Sequence, residues 1–258
     1  MARPMQTLAV LHGALWTADP WYKRSWFIWP QAASLVLAAW LIFGGAGYHT
    51  PGKSPWAPVQ QSQNAWSLAR SAAGIVLSGD DLVATAPSSP SFYYYNSFSV
   101  VQHSDKRAFQ ITVRNDVKPG GENVGVGIAN AKASVSGPPV NGARYIGIDT
   151  NGIALYDDGT VWLNGKKTVT SLTFATGDFV TICVDVPSRL IWFQVNGKGP
   201  WNGNERADPA AAKGGISFSQ LGGGGIFAAL SLVNTSSVKA NFTSLAALPS
   251  GFKPWGAK

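Results

Sequence analysis

The chain has 258 residues, with 20 Lys+Arg against 13 Asp+Glu, a formal net charge of +7 and only 13% charged residues. At 45% hydrophobic and 12% aromatic it is too apolar for a disordered chain, and its composition does not suit a coiled coil. A single cysteine, Cys183, excludes an internal disulfide framework and any cysteine-based zinc site.

The charge is spread thinly. Residues 1–64 carry Arg3, Lys23, Arg24 and Lys53 against Asp19, and the remaining excess of +4 is scattered over 65–258. There the only adjacent basic pairs are Lys106-Arg107 and Lys166-Lys167. A nucleic-acid footprint would be a stripe or a cluster, so no nucleic-acid partner is expected.

Residues 1–25 form an N-terminal tail. Leu8, Leu11, Leu15 and Trp16 recur at helical spacing, which fits either a short helix lying on a membrane surface or an unstructured tail. Residues 26–48, WFIWPQAASLVLAAWLIFGGAGY, then run for 23 residues without a charge. As a helix this segment spans roughly 35 Å, enough for a hydrocarbon core of about 30 Å. Trp21, Tyr22, Trp26 and Trp29 gather at one end and Tyr48 and Trp56 at the other, as in the aromatic belts of a membrane-crossing helix. This accounts for six of the 11 tryptophans falling within the first 56 residues. A cleaved signal peptide is the alternative, but 25 residues precede the apolar run, which is itself longer than the usual core of such a peptide. Lys23 and Arg24 sit just before the segment and Lys53 after it, so the positive-inside rule places the N-terminus in the cytoplasm. The C-terminal part would then be periplasmic or extracellular, on a single-pass membrane protein.

Residues 49–64 form a proline-rich spacer. From 65 to 258 the pattern changes to short apolar runs between turn signals. Residues 109–113 and 124–128 alternate, and 153–156 and 160–163 flank Asp157-Asp158-Gly159, a hairpin signal. Further runs at 179–186, 190–195, 226–233 and 238–242 complete about ten strands, the mark of an all-β sandwich or barrel.

The order of these strands carries a resemblance. Gly177-Asp178-Phe179 opens a strand that ends on Asp185. Ile191-Trp192-Phe193 then leads into Asn196-Gly197. This sequence resembles the central signature of the SPRY family, and flanking stretches extend the similarity over roughly 66–256. Trp201-Asn202-Gly203 with Ala207-Asp208-Pro209 is similar to bacterial and phage members. The Lys106-Arg107-Ala108-Phe109 strand keeps only part of the family's usual aromatic pattern. The resemblance implies a mainly β fold, a SPRY/concanavalin-like β-sandwich of two antiparallel sheets. It also implies a non-enzymatic module that binds a partner, usually a protein, through loops.

No catalytic constellation appears. His103 is the only histidine in the β region and sits beside Ser104-Asp105, as in a surface turn. The two glutamates, Glu122 and Glu205, lie in Gly- or Asn-rich loops, a poor basis for glycoside hydrolysis. Cys183 lies inside an apolar strand and reads as an inert thiol. No metal or cofactor is expected. Three loop-like stretches carry large side chains: Arg144-Tyr145, the Gly199–Gly225 connection with Trp201, Asn202, Asn204 and Arg206, and the Tyr93-Tyr94-Tyr95 run. Trp162 stands on a hairpin strand. Arg and aromatic side chains dominate binding hot spots, so Arg144, Tyr145, Trp162, Trp201, Asn202, Asn204 and Arg206 are the partner-binding candidates. Protein partners, as subunits of a larger membrane complex, are the leading expectation, and a glycan bound in lectin fashion is the alternative.

Overall fold

The structure, a computed structural model, describes residues 61–89, 93–116, 120–135 and 144–258. The described residues all belong to one compact unit, Val59–Lys258. The expected tail, the 26–48 helix, its interface residues Trp21, Tyr22, Trp26, Trp29, Tyr48 and Trp56, and most of the spacer lie outside the described residues. No helix among the described residues is long and apolar enough to cross a membrane.

Fifteen strands are found among the described residues, where the sequence suggests about ten. They are β1 (Trp66–Ser71), β2 (Val76–Ser78), β3 (Val83–Thr85), β4 (Tyr94–Ser99), β5 (Lys106–Asn115), β6 (Val124–Ala129), β7 (Gly152–Tyr156) and β8 (Thr160–Leu163). There follow β9 (Lys166–Val169), β10 (Phe179–Asp185), β11 (Leu190–Val195), β12 (Ile216–Ser217), β13 (Phe227–Val233), β14 (Ser237–Asn241) and β15 (Lys253–Pro254). Sheet 1 runs β1-β4-β13-β6-β7-β8-β9 and sheet 2 runs β12-β11-β10-β5-β14-β3-β2. Every pairing along both orders is antiparallel, while β15 adds a short parallel contact to β5.

The period-2 pattern decides which side chains meet between the sheets. From sheet 1 come Val124, Val126 and Ile128 of β6, Ile153 and Leu155 of β7, and Leu230 and Leu232 of β13. Sheet 2 supplies Phe109, Ile111 and Val113 of β5, Val180, Ile182 and Val184 of β10, and Ile191 and Phe193 of β11. Trp66, Phe242 and Trp255 join this core, with Trp66 and Phe242 edge to face at 5.1 Å between ring centres. The Trp66 indole N–H donates to the Leu82 carbonyl at 3.0 Å, so the polar end of that ring is satisfied.

The outward faces are covered as well. On sheet 1 the segments around 130–135 and 144–151 lie over Phe98, Ala129, Ala154, Tyr156, Phe227 and Ala229. On sheet 2 the 199–215 connection and the 245–252 stretch cover Ala108, Cys183 and Trp192. Small residues at the covered positions permit this. A Cβ on Gly127 would run into the Ile153 carbonyl and come within 2.7 Å of the Ala154 Cα. Burial also pushes the Cys183 thiol up, which keeps it protonated and inert.

Two measurements test this packing. Gly127→Ala should cost about 3 kcal/mol in denaturant unfolding, because the clash is with backbone and no side chain can swing away. The second concerns His103, whose ring lies edge to face on Trp255 at 4.8 Å. Burial, with Arg107 nearby, holds its imidazole below the ordinary 6.5. A base lowered in the fold is bound by more protons when unfolded. Its contribution is therefore whole above pH 6.5 and is lost as pH falls through the lower folded value. Thermal melts between pH 7.5 and 5 should show that loss, and His103→Phe should flatten it.

Candidate partner-binding face

Three of the seven candidate residues meet on the outer face of sheet 1. Alternation along β4 turns Tyr94, Asn96 and Phe98 outward and Tyr95 inward. The same period turns Tyr156 and Trp162 outward from β7 and β8. Tyr145 is brought onto this surface by the covering segment. Its ring lies 5.2 Å from Tyr94, 6.0 Å from Tyr156 and 5.1 Å from Trp162, all tilted or edge to face. Tyr156 is fully buried at the base, whereas Tyr94, Tyr145 and Trp162 are half-buried and Arg144 is exposed. Phe92 and residues 141–143 lie outside the described residues.

A buried polar network fixes the covering segment in place. The Asn96 amide donates to the Ser134 carbonyl at 3.0 Å and to the Arg144 carbonyl at 2.9 Å. The Ser231 hydroxyl donates to the Asn96 Oδ1 at 2.7 Å and accepts from the Ile146 N–H at 2.8 Å. The Tyr156 hydroxyl donates to the Ile146 carbonyl at 3.0 Å. Asn96, Ser231 and Tyr156 thus hold the backbone on both sides of Tyr145. A side chain held this way loses little freedom on binding, which favours affinity.

One rim of the face is charged. The Lys167 ammonium lies 2.5 Å from a Glu122 carboxylate oxygen and 3.2 Å from one of Asp158, and 5.7 Å from the Trp162 ring centre. Glu122 raises the Lys167 value through this bond. Burial pushes the Asp158 carboxyl up, but hydrogen bonds from the Thr160 hydroxyl and N–H and from Lys167 outweigh it, so the net direction is down. Burial, reinforced by the Glu122 charge, raises the Tyr94 and Tyr145 phenols. Both therefore remain hydroxyl donors at neutral pH.

The other four candidates lie on the opposite side, over sheet 2. Asn202 stands in the left-handed region at φ 54, and its amide serves the edge of β11. Its Oδ1 accepts from the Phe193 N–H at 2.8 Å and its Nδ2 donates to Ile191 and Gly214 carbonyls at 3.2 and 3.0 Å. Trp201 packs against the layer containing Trp192. The Asn204 side chain accepts from the Arg206 N–H at 3.0 Å, closing a local turn, and the Arg206 side chain is exposed. The Gly199–Gly225 connection is also less loose than its glycines suggest. It holds β12 and two single turns of 3-10 helix, 201–203 and 219–221. Sequence reading missed Glu122 and Lys167, which are 45 positions apart and carry no local signal of their pairing.

The remaining polar residues have local duties. Asp178 accepts from the Asn196 amide at 2.7 Å, and Asn196 accepts from the Phe179 N–H at 3.0 Å, tying the start of β10 to the end of β11. Asp157 is buried and accepts the Val124 and Gly121 N–H groups at 3.0 and 2.9 Å. Asp149 is engaged by the N–H and amide of Asn151. Glu122 pairs with Lys167 beside sheet 1, and Glu205 is exposed in the connection whose Trp201 and Ala207 pack over sheet 2.

The sequence profile of the SPRY domain matches residues 106–244, more than half of the chain. No curated protein matches it. Among solved structures, the SPRY domain of human HERC1 is similar with a TM-score of 0.51 at 15% identity, over 68% of this chain and 96% of that one. The TRIM65 PSpry domain is similar with a TM-score of 0.52 at 12% identity, over 72% and 99% of the two chains. Stonustoxin matches with a TM-score of 0.50 at 12% identity, over 70% of this chain but 27% of the toxin chain. At these identities the likenesses establish a shared sandwich. SPRY domains are typically non-catalytic modules that bind proteins. With its central signature, its two antiparallel sheets and the matched profile, the chain belongs to the SPRY domain family.

Proposed function

We propose that this chain is a membrane-anchored, non-enzymatic binding module, an accessory subunit that recruits or holds a protein on the outer face of sheet 1. The observation that carries the binding face is the half-buried Tyr94, Tyr145 and Trp162 group with exposed Arg144 beside it. Such residues supply large contact area at small entropic cost. The uncharged 26–48 segment supports the anchor, and the flanking Lys23 and Arg24 support a cytoplasmic N-terminus with the SPRY domain on the far side. A short spacer, 49–64, would keep the domain close to the bilayer, within reach of neighbouring membrane subunits.

A glycan is the alternative ligand, favoured by the same half-buried rings. The two readings separate experimentally. Purification of the full chain in mild detergent should retain stoichiometric partner proteins, and a glycan array should show no saturable binding. A clean monomer that binds an oligosaccharide would reverse the assignment. Within the leading reading, Trp162→Ala and Tyr145→Ala should each weaken partner retention about tenfold or more at a temperature where thermal melts show the variant still folded, since each also loses ring packing. Asn96→Ala acts one step back. It removes the amide's bonds to the Arg144 and Ser134 carbonyls and to the Ser231 hydroxyl, so it should cost about 2 kcal/mol of stability and weaken binding through a loosened Tyr145. Alkaline carbonate extraction checks the anchor, since a spanning chain stays with the membrane pellet.

A further inference from the structure

Strand β9, Lys166–Val169, is the outer strand of sheet 1 next to the aromatic face. All four of its residues are exposed, and Val169 at 76% is the most exposed large apolar side chain described. Its register with β8 pairs Thr160 with Val169, Val161 with Thr168 and Trp162 with Lys167. The Thr170 N–H bonds to the Gly159 carbonyl at 2.8 Å. Antiparallel pairs alternate between bonded and non-bonded types, so Val161 with Thr168 is bonded and Trp162 with Lys167 is not. The N–H and C=O groups of Lys167 and Val169 therefore point away from β8, and no described residue bonds them.

Two other edges of the sandwich are treated differently. On β1, the Gln61 amide donates to the Trp66 carbonyl at 2.7 Å and accepts from the Leu68 N–H at 3.3 Å, standing in for a neighbouring strand. On β11, Asn202 does the same for Ile191 and Phe193. Strand β2 is also bare, but it belongs to sheet 2 and its Val76-Leu77-Ser78 sequence carries no charge. Among the described residues, only β9 combines open backbone groups, two lysines and adjacency to the ring of Trp162, which faces Lys167 directly.

We propose that β9 is a docking edge that takes a short acidic segment of the partner protein as an added strand of sheet 1. This rests on reading the chain as a protein-binding module, and it names the chemistry of the partner. Main-chain bonds to Lys167 and Val169 give the affinity, and side chains on alternate positions give the selectivity. Glu122 and Asp158 already hold the Lys167 ammonium beside Trp162, so the cation an acidic side chain of the added strand meets is the exposed Lys166, which no carboxylate among the described residues engages. An apolar side chain opposite Val169 covers the exposed isopropyl group. A second copy of this chain is the wrong occupant. Two β9 strands side by side would bring together two Lys166 side chains that no described carboxylate engages, and an exposed edge lysine is a device by which edge strands avoid pairing with themselves.

The test uses the full chain in detergent micelles and a phage-displayed library of random twelve-residue peptides. Selection should enrich acidic, β-branched sequences. A synthetic peptide of the selected consensus should then protect the Lys167 amide from hydrogen exchange, and Lys166→Glu should weaken it severalfold. Val169→Pro removes an outward N–H that β8 does not use, so it should weaken binding about tenfold. If that variant misfolds, the Lys167 exchange in the unaltered chain decides by itself. Neutral or basic consensus sequences, no enrichment, or a bound peptide that leaves the Lys167 amide unprotected would each overturn the proposal. A peptide lost with Trp162→Ala but indifferent to Val169→Pro would overturn the docking edge and leave the binding face standing.

Discussion

The close approach of Tyr156 to β6 governs the outer surface of sheet 1. A Cβ on Gly125 would lie 2.5 Å from two ring carbons of Tyr156, so only a residue without a side chain allows the ring to lie there. Gly127 admits the β7 backbone in the same way. With the ring flat on the sheet, its hydroxyl reaches the Ile146 carbonyl and its edge supports Tyr94 and Tyr145. The binding face is thus a third layer, built on a floor of glycine, alanine and one tyrosine. Larger residues on β6 would lift the layer and scatter the rings above it.

The strands that form the inner core were visible in the sequence because their side chains alternate cleanly. Strands β6, β7, β8, β10, β11, β13 and β14 stand within one or two residues of the runs read from it. Several of the missed strands lack that alternation, whereas β4 alternates but begins inside the Tyr93-Tyr94-Tyr95 run, which reads as a loop. Strand β9 reads Lys-Lys-Thr-Val and is exposed on both sides, while β2 and β3 have three residues each. Strand β1 bulges between Trp66 and Ser71 against β4 and so breaks its own period. The family signature compensated for this, since its aspartates and asparagines mark strand ends, and Asp178 and Asn196 do sit at those ends.

The site was less legible. Residue type identified Arg144, Tyr145 and Trp162, but nothing local showed that they converge, because their meeting depends on Asn96 and Ser231 from two other strands. Asn202 shows the converse. An exposed-looking Trp-Asn-Gly triplet has the composition of a contact loop, yet its amide replaces a strand partner at the edge of β11. Loop composition suggests both roles, and only the hydrogen bonds of the amide separate them.

The lone cysteine gives the sandwich a built-in reporter. Cys183 lies on the outward side of β10 beneath Trp192 and Phe252, out of contact with solvent. No reagent reaches its sulfur until the layer over sheet 2 lifts away. The rate at which the thiol is modified under native conditions is therefore a clock for that opening, separate from global unfolding. The face bearing Arg144, Tyr145 and Trp162 lies on the other sheet, so a ligand bound there that slows the clock would be acting through the shared core.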